Sequence, residues 1–208
     1  MNYLLTQDQR DFQTLLERFL KSKVDSLFLH RLADQTDGWQ HSLFELWREF
    51  SALGFAGLLV PTDYQGMGCS LSDAAILAET LGAYLTPLPF IEHQLCCLAI
   101  TLAGSPEQKQ MWLPKLASGE CVGTVAFHSG DGGFHPTSWT LCKDDSGETQ
   151  LKFCPSLGIS DVPHLVVTGM HNGELALIAP DDLQLTPQVP STMDLTRYLA
   201  AVRFAKPQ

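Results

Sequence analysis

The first half of the chain repeats its apolar residues every three or four positions, which is the spacing of one helical face. Thr6 and Gln9 form a T-x-x-Q capping box before the first stripe, and Ser70 or Ser72 can cap a later helix. The pattern therefore predicts a series of amphipathic helices. Their stripes are Phe12, Leu15, Leu16, Phe19 and Leu20; Leu43, Leu46, Trp47 and Phe50; Leu77, Leu81 and Leu85; and Ile91, Leu95, Leu98 and Leu102.

The segment "AGSPEQKQMWLPKLASGE" predicts one more helix, with well-marked ends. Ser105 is its N-cap, Pro106 occupies the first helical position, and Gln108 completes a capping box. Gly119 ends it. Because the start signals agree, we expect the helix to begin at Pro106.

After Glu120 the pattern changes to short runs rich in β-branched and aromatic residues, separated by Gly, Asp, Asn and Pro. The runs are "CVGTVAFH", "TSWTLCK", "TQLKF", "HLVVT", "ELALIA" and "RYLAAVRF". "DDSGE" and "MHNGE" are typical of hairpin turns. The order predicts an α+β fold, with an all-helical N-terminal domain at 1–119 and an antiparallel, β-barrel-like domain at 120–208.

Composition narrows the class of protein. The 208 residues are 45% hydrophobic and 17% charged, as in a globular chain. A net charge of -10 and a pI of about 5.0 argue against nucleic-acid binding, since phosphate neutralisation needs surplus Lys and Arg. No apolar stretch reaches membrane-spanning length and the N-terminus turns polar too early for a signal peptide, so we expect a cytoplasmic protein without a membrane segment.

The six cysteines show neither a disulfide nor a metal pattern. Cys96 and Cys97 are adjacent and the others lie far apart without C-x-x-C spacing, so we interpret them as reduced, mostly buried thiols. His93 precedes this pair at helical spacing, but no second pair completes a four-ligand zinc site. We therefore predict no metal.

The stretch "LGFAGLLVPTDYQGMGCSLSDAAILAETLGAYLTPLPF", followed by the Pro106 helix and "GTVAF", resembles the acyl-CoA dehydrogenase family. The motifs that carry the resemblance are "GLLVP-x-x-Y-x-G-x-G", "AE-x-LG" and "AG-S-x-EQK-x-x-WLP-x-LASGE", and the closing "LTPQVPSTMDLTRYLAAVRF" is similar to the end of the family's β domain. It implies a flavoprotein oxidoreductase of fatty acid or lipid metabolism that removes two hydrogens across the Cα–Cβ bond of an acyl-CoA substrate. It also implies FAD as hydride acceptor, a carboxylate base, and a homo- or hetero-oligomer.

The resemblance assigns flavin contacts to two segments. His128, Ser129 and Gly130 stand where the family has the Thr-Glu-Pro of a "T-E-P-x-x-G-S-D" loop. Either this loop binds FAD through the His128 side chain and backbone amides, or it is a turn that has lost its ligand. Phe153 and Pro155 match the Trp and Thr of the family's "W-I/V-T" strand; Phe153 keeps an aromatic wall, whereas Pro155 has no N–H to donate.

The resemblance implies an acyl pocket lined by the helices that match Ser72–Leu85 and Ile91–Leu102, with Leu95, Cys96 and Ala99 of the segment "HQLCCLAITL" as its contacts. The family's catalytic Glu and C-terminal four-helix domain have no counterpart here, so no catalytic residue is assigned and we expect the chain alone to be inactive. One hypothesis is a dehydrogenase completed by a further domain or a partner chain; the alternative is a non-catalytic, partner-binding subunit. A hydrolase or transferase using His128 and Ser129 is a third hypothesis, but it needs adjacent residues to converge as a triad.

Overall fold

A computed structural model describes residues 5–35, 38–126, 142–143, 149–155, 162–169, 175–188, 194, 196 and 199–204, with side chains for 5–35, 38–126, 162–169, 175–183, 194 and 196. The helices in these ranges are α1 (Gln7–Lys23), α2 (Ser26–Ala33), α3 (Trp39–Ala52), α4 (Leu71–Ala83), α5 (Phe90–Ala103) and α6 (Pro106–Ser118). The strands are β1 (Val122–Ala126), β2 (Cys142–Lys143), β3 (Thr149–Pro155), β4 (His164–Gly169), β5 (Leu175–Ile178), β6 (Leu183–Gln188) and β7 (Leu199–Phe204). The helical N-terminal part of the α+β prediction is confirmed.

Capping boxes begin α1, α4 and α6, because each N-cap hydroxyl accepts the N–H three residues on and that residue's side chain accepts the N-cap N–H. In α6 the Gln108 N–H donates to Ser105 Oγ at 3.2 Å, and the Ser105 N–H donates to Gln108 Oε1 at 2.9 Å. Gly119 ends this helix in the left-handed conformation, at φ 76°. The predicted bounds of α6 are therefore confirmed.

Helix α5 buries the face opposite its apolar stripe. Ile91, Leu95 and Leu102 are 54%, 42% and 74% exposed. The buried side includes polar residues and thiols, and its members are Phe90, His93, Gln94, Cys96, Cys97 and Ile100. The helix is present where the stripe predicts it, but hydrophobic spacing alone does not identify its buried face.

The described β part contains both parallel and antiparallel strand pairs, which corrects the prediction of an antiparallel domain. The described strands form two open sheets, with orders β1-β4-β5 and β2-β3-β7-β6. Strand β1 runs parallel to β4, from Val122 opposite His164 to Ala126 opposite Thr168, while the other pairs are antiparallel. Every residue of β1 and β4 is buried, as expected for parallel strands covered on both faces.

Helix α5 joins the helical part to the first sheet. It packs against β1 and β4, and α6 packs against both α5 and the short 3₁₀ turn Phe55–Gly57. One apolar cluster, shared by α5, α6 and the sheet, contains Cys96, Ile100, Leu113, Leu116 and Leu165. Within the described residues, no helix is long and apolar enough to cross a membrane.

Candidate functional site

The turn after α3 is held by a buried side-chain amide. Gln94 in α5 is 3% exposed, and its Nε2 donates to the carbonyl oxygens of Ala56 at 2.8 Å and Phe55 at 3.2 Å. Its Oε1 accepts the Leu59 N–H at 3.1 Å. Gln94 therefore fixes this turn to α5 through both ends of its amide.

The end of α6 is tied to α3 where the chain turns into β1. Trp47 Nε1 donates to the Gly119 carbonyl oxygen at 3.0 Å, and Trp47 itself is 1% exposed. Gly119 also lies over the buried Ser51 side chain, because a Cβ built on it would overlap the Ser51 Oγ. A glycine is required here by both the left-handed backbone and the close approach.

A buried histidine connects α5 to β1. The Gly123 N–H donates to His93 Nδ1 at 2.9 Å, and His93 is fully buried. The His93 ring meets the Trp47 ring edge-on, with centroids 5.0 Å apart and planes at 69°. Burial lowers the pKa of His93 to about 4, against smaller opposing effects of the Leu116 and Ala56 carbonyl groups, so the imidazole is neutral near pH 7.

The buried thiols are unsuited to nucleophilic chemistry. Burial raises the pKa of Cys97 far above its usual range and that of Cys121 to about 12. Cys96 is also fully buried. These residues therefore act as small apolar groups in the core, in agreement with free thiols at all three positions.

An apolar groove of about 770 Å³ opens between α2, α4 and the start of α5. Leu81, Leu85, Leu88 and Ile91 belong to its wall. Thr86 also lines the groove, and its hydroxyl is buried without a hydrogen-bond partner among the described residues. Its size lies within the range of about 300–1,000 Å³ that is usual for small-molecule sites.

The three predicted substrate contacts differ in their surroundings on α5. Leu95 is half exposed on the outer face. Cys96 is buried against β1, where a Cβ built on Gly123 would lie 2.6 Å from its Cβ. Ala99 is partly buried above a small cavity of about 40 Å³ shared with Val167. The structure therefore does not bring the three side chains together around one cavity.

The predicted flavin contacts are only partly described. His128, Ser129 and Gly130 lie outside the described residues. Phe153 and Pro155 belong to β3, of which the backbone is described; the pairing of β3 with β7 is irregular between Leu151 and Cys154. Strand β3 contacts β1, whose last residue, Ala126, lies two positions before His128.

Three residues at the α5–β1 junction were not predicted from the sequence as part of a site. They are Gln94, Gly123 and His93, the last of which was considered only as a metal ligand. The available signal was a His-Gln pair inside an otherwise apolar helical segment, because such polar groups are buried only when they have hydrogen-bond partners.

Comparison with known proteins identifies the family. Residues 6–120 match the model for the acyl-CoA dehydrogenase N-terminal domain. The chain is 33% identical over 120 residues to the mitochondrial isobutyryl-CoA dehydrogenase of Dictyostelium discoideum, which covers 57% of this chain and 28% of that protein. It is 30% identical over 166 residues to the acyl-CoA dehydrogenase IpdE2 of Mycolicibacterium smegmatis, covering 76% of this chain and 40% of that protein. The chain belongs to the acyl-CoA dehydrogenase family.

Solved structures share the fold over nearly the whole chain. An acyl-CoA dehydrogenase from Bacillus anthracis, solved as a complex with FAD, gives a TM-score of 0.73 at 21% identity and covers 98% of this chain and 37% of that one. PigA, solved with FAD and proline, gives 0.73 at 20% identity and covers 100% and 58%. The chain thus spans well under two thirds of the length of these relatives.

Proposed function

We propose that this chain supplies the helical part (1–119) and the flavin-side β part (120–208) of an FAD-dependent acyl-CoA dehydrogenase. The reaction desaturates an acyl-CoA thioester: the α-hydrogen leaves as a proton to a carboxylate base and the β-hydrogen as a hydride. FAD, when bound, supplies the hydride acceptor. The thioester would gain a Cα–Cβ double bond, and the hydride's two electrons would leave the substrate for the acceptor.

The contact between β1 and β3 is the observation that supports this function best. The predicted flavin contacts come from two distant parts of the sequence, the segment after Ala126 and the strand that holds Phe153 and Pro155. A single flavin can touch both segments when their strands lie near each other, and β1 and β3 are in contact. The contact between β1 and β3 therefore supports a flavin site between these two segments.

The acyl group is assigned, in the same proposal, to the outer face of α5. Ile91 and Leu95 present exposed apolar side chains there, and Ile91 also lines the groove next to α4. Cys96 is buried beneath this surface, where it packs against β1. Ala99 lies one turn beyond Leu95 in the same helix. Because no residue of the chain is assigned as the base, we propose that further polypeptide, of the same protein or of a partner subunit, covers α5 and supplies it.

The test is FAD binding by the full chain, followed by the change in flavin fluorescence. We expect His128→Ala to raise the dissociation constant about fivefold to tenfold, the effect of one lost hydrogen bond. His41→Ala, an exposed histidine in α3, is the matched control and should leave the constant unchanged.

Absence of FAD binding would contradict the proposal and favour the non-catalytic subunit. One observation already supports that alternative, namely the replacement of the family's Thr-Glu-Pro by His128, Ser129 and Gly130. Equal FAD binding by the His128→Ala and His41→Ala variants would exclude His128 from the flavin contact.

A further inference from the structure

His93 accepts a backbone N–H at one edge of β1. Among the described strands, β1 is hydrogen-bonded to β4 alone. The Val122 N–H points toward β4, since it donates to the Pro163 carbonyl oxygen at 2.9 Å. In a parallel ladder the next N–H points the opposite way, away from β4. That next group is the Gly123 N–H, which is buried and donates to His93 Nδ1.

The approach of α5 to this edge is unusually close. A Cβ on Gly123 would lie 2.6 Å from the Cys96 Cβ and 2.8 Å from its Sγ. Only a glycine lets the backbone of β1 lie this near to α5. His93 then supplies the acceptor that a neighbouring strand would otherwise provide, so the helix takes the place of a strand at this edge.

The hydrogen bond fixes the tautomer of His93. Nδ1 accepts a proton donor, so in the neutral ring the hydrogen is on Nε2. Nε2 is buried and, among the described residues, has no hydrogen-bond partner. Within the described part of the chain the ring is held by the hydrogen bond to Gly123 and by the edge-on contact with Trp47, and the Leu116 and Ala56 carbonyl groups act on it more weakly. A residue kept only for packing would not need this buried polar ring.

We propose that His93 is a positioning residue for the flavin-side strand: its Nδ1 holds the Gly123 N–H and thereby sets the position of β1 against α5. Gly123 lies three residues before Ala126, where the strand ends and the predicted flavin segment begins. The expected effect of His93 on FAD binding rests on the proposed function. The hydrogen bond itself does not depend on that function.

Two substitutions separate the acceptor from the ring. His93→Asn keeps an acceptor, because the amide Oδ1 occupies nearly the same position along the side chain as Nδ1. His93→Leu fills a similar volume without any acceptor. Both lose the ring contact with Trp47, so the difference between them reports on the acceptor alone. Leu20→Ala, a buried change in α1, controls for general loss of stability.

Amide hydrogen exchange of Gly123 and FAD affinity are measured on the full chain. We expect Gly123 exchange in His93→Leu to be at least about tenfold faster than in His93→Asn, and FAD to bind about tenfold more weakly. Leu20→Ala should bind FAD as the unaltered chain does. Equal Gly123 exchange in the two His93 variants would overturn the inference, and so would FAD affinity in His93→Leu that matches Leu20→Ala.

The outcomes distinguish the inference from the function on which it rests. If no variant binds FAD but Gly123 exchange still differs between His93→Asn and His93→Leu, the proposed function fails and the acceptor role stands. If His93→Leu does not fold, the nitrogen NMR shifts of His93 in the unaltered chain decide the point: an unprotonated Nδ1 agrees with the inference, and a protonated Nδ1 overturns it.

Discussion

Replacing Gln94 with Met removes the buried amide that fixes the turn after α3, while nearly keeping the volume of the side chain. Three hydrogen bonds are lost, to Phe55, Ala56 and Leu59. The Phe55 carbonyl oxygen also accepts the Leu58 N–H at 3.4 Å, so the main losses fall on the Ala56 carbonyl and the Leu59 N–H. Each backbone group left unsatisfied in the core costs about 1–3 kcal/mol.

The expected loss in the free energy of unfolding for Gln94→Met is therefore about 3 kcal/mol, after the gain from burying an apolar side chain. For a chain of this size, each kcal/mol lowers Tm by about 2–4 °C, which predicts a fall of about 8 °C. Urea denaturation followed by circular dichroism gives the free energy, and calorimetry gives Tm.

Gln110→Met is the matched control, because Gln110 is exposed in α6. This variant should stay within about 0.5 kcal/mol of the unaltered chain. If Gln94→Met unfolds at the same urea concentration as Gln110→Met, the amide does not hold the turn and the reasoning is refuted.

Other substitutions and a change of pH test further contacts. Gly57→Ala should destabilise by about 2 kcal/mol, since its Cβ would lie 2.9 Å from a Cβ in α6, whereas Gly82→Ala, in open space on α4, should stabilise by about 0.5–1 kcal/mol; equal urea midpoints would contradict this. Ser105→Ala should cost about 1 kcal/mol by removing the α6 cap, and unchanged thermal unfolding would argue against the cap. Burial holds the pKa of His93 and His164 at about 4, below the ordinary value of 6.5. The unfolded chain binds more protons across this window, so stability is full above pH 6.5 and falls by about 3 kcal/mol per histidine as pH drops toward 4. In denaturation series at several pH values His93→Asn should lose its share of this dependence, and an unchanged slope would refute the assignment.

Local signals in the sequence predicted the helix ends well. The Ser105 and Gln108 pair, Pro106 and Gly119 all act within a few residues, so the bounds of α6 follow from local chemistry alone. Helix α2 was missed, because its eight residues are too short to repeat an apolar face; Asp25 caps it through the Phe28 N–H.

Tertiary contacts explain where prediction from the sequence stopped. The buried face of α5 carries His93 and Gln94, whose partners lie 30 and 35–39 residues away. Spacing within one helix cannot reveal such partners. The hydrophobic spacing therefore predicted the helix but did not identify its buried face. The parallel pairing of β1 with β4 depends in the same way on the path of the chain between them.

The central claim is that this family member contributes to a flavin site and to an acyl-CoA site. The most direct measurement is the visible absorption spectrum of the full chain with FAD, before and after adding octanoyl-CoA, with CoA alone as the control. We predict that the flavin band, at about 450 nm, shifts with octanoyl-CoA and not with CoA. A spectrum identical to that of free FAD under all three conditions would contradict the account.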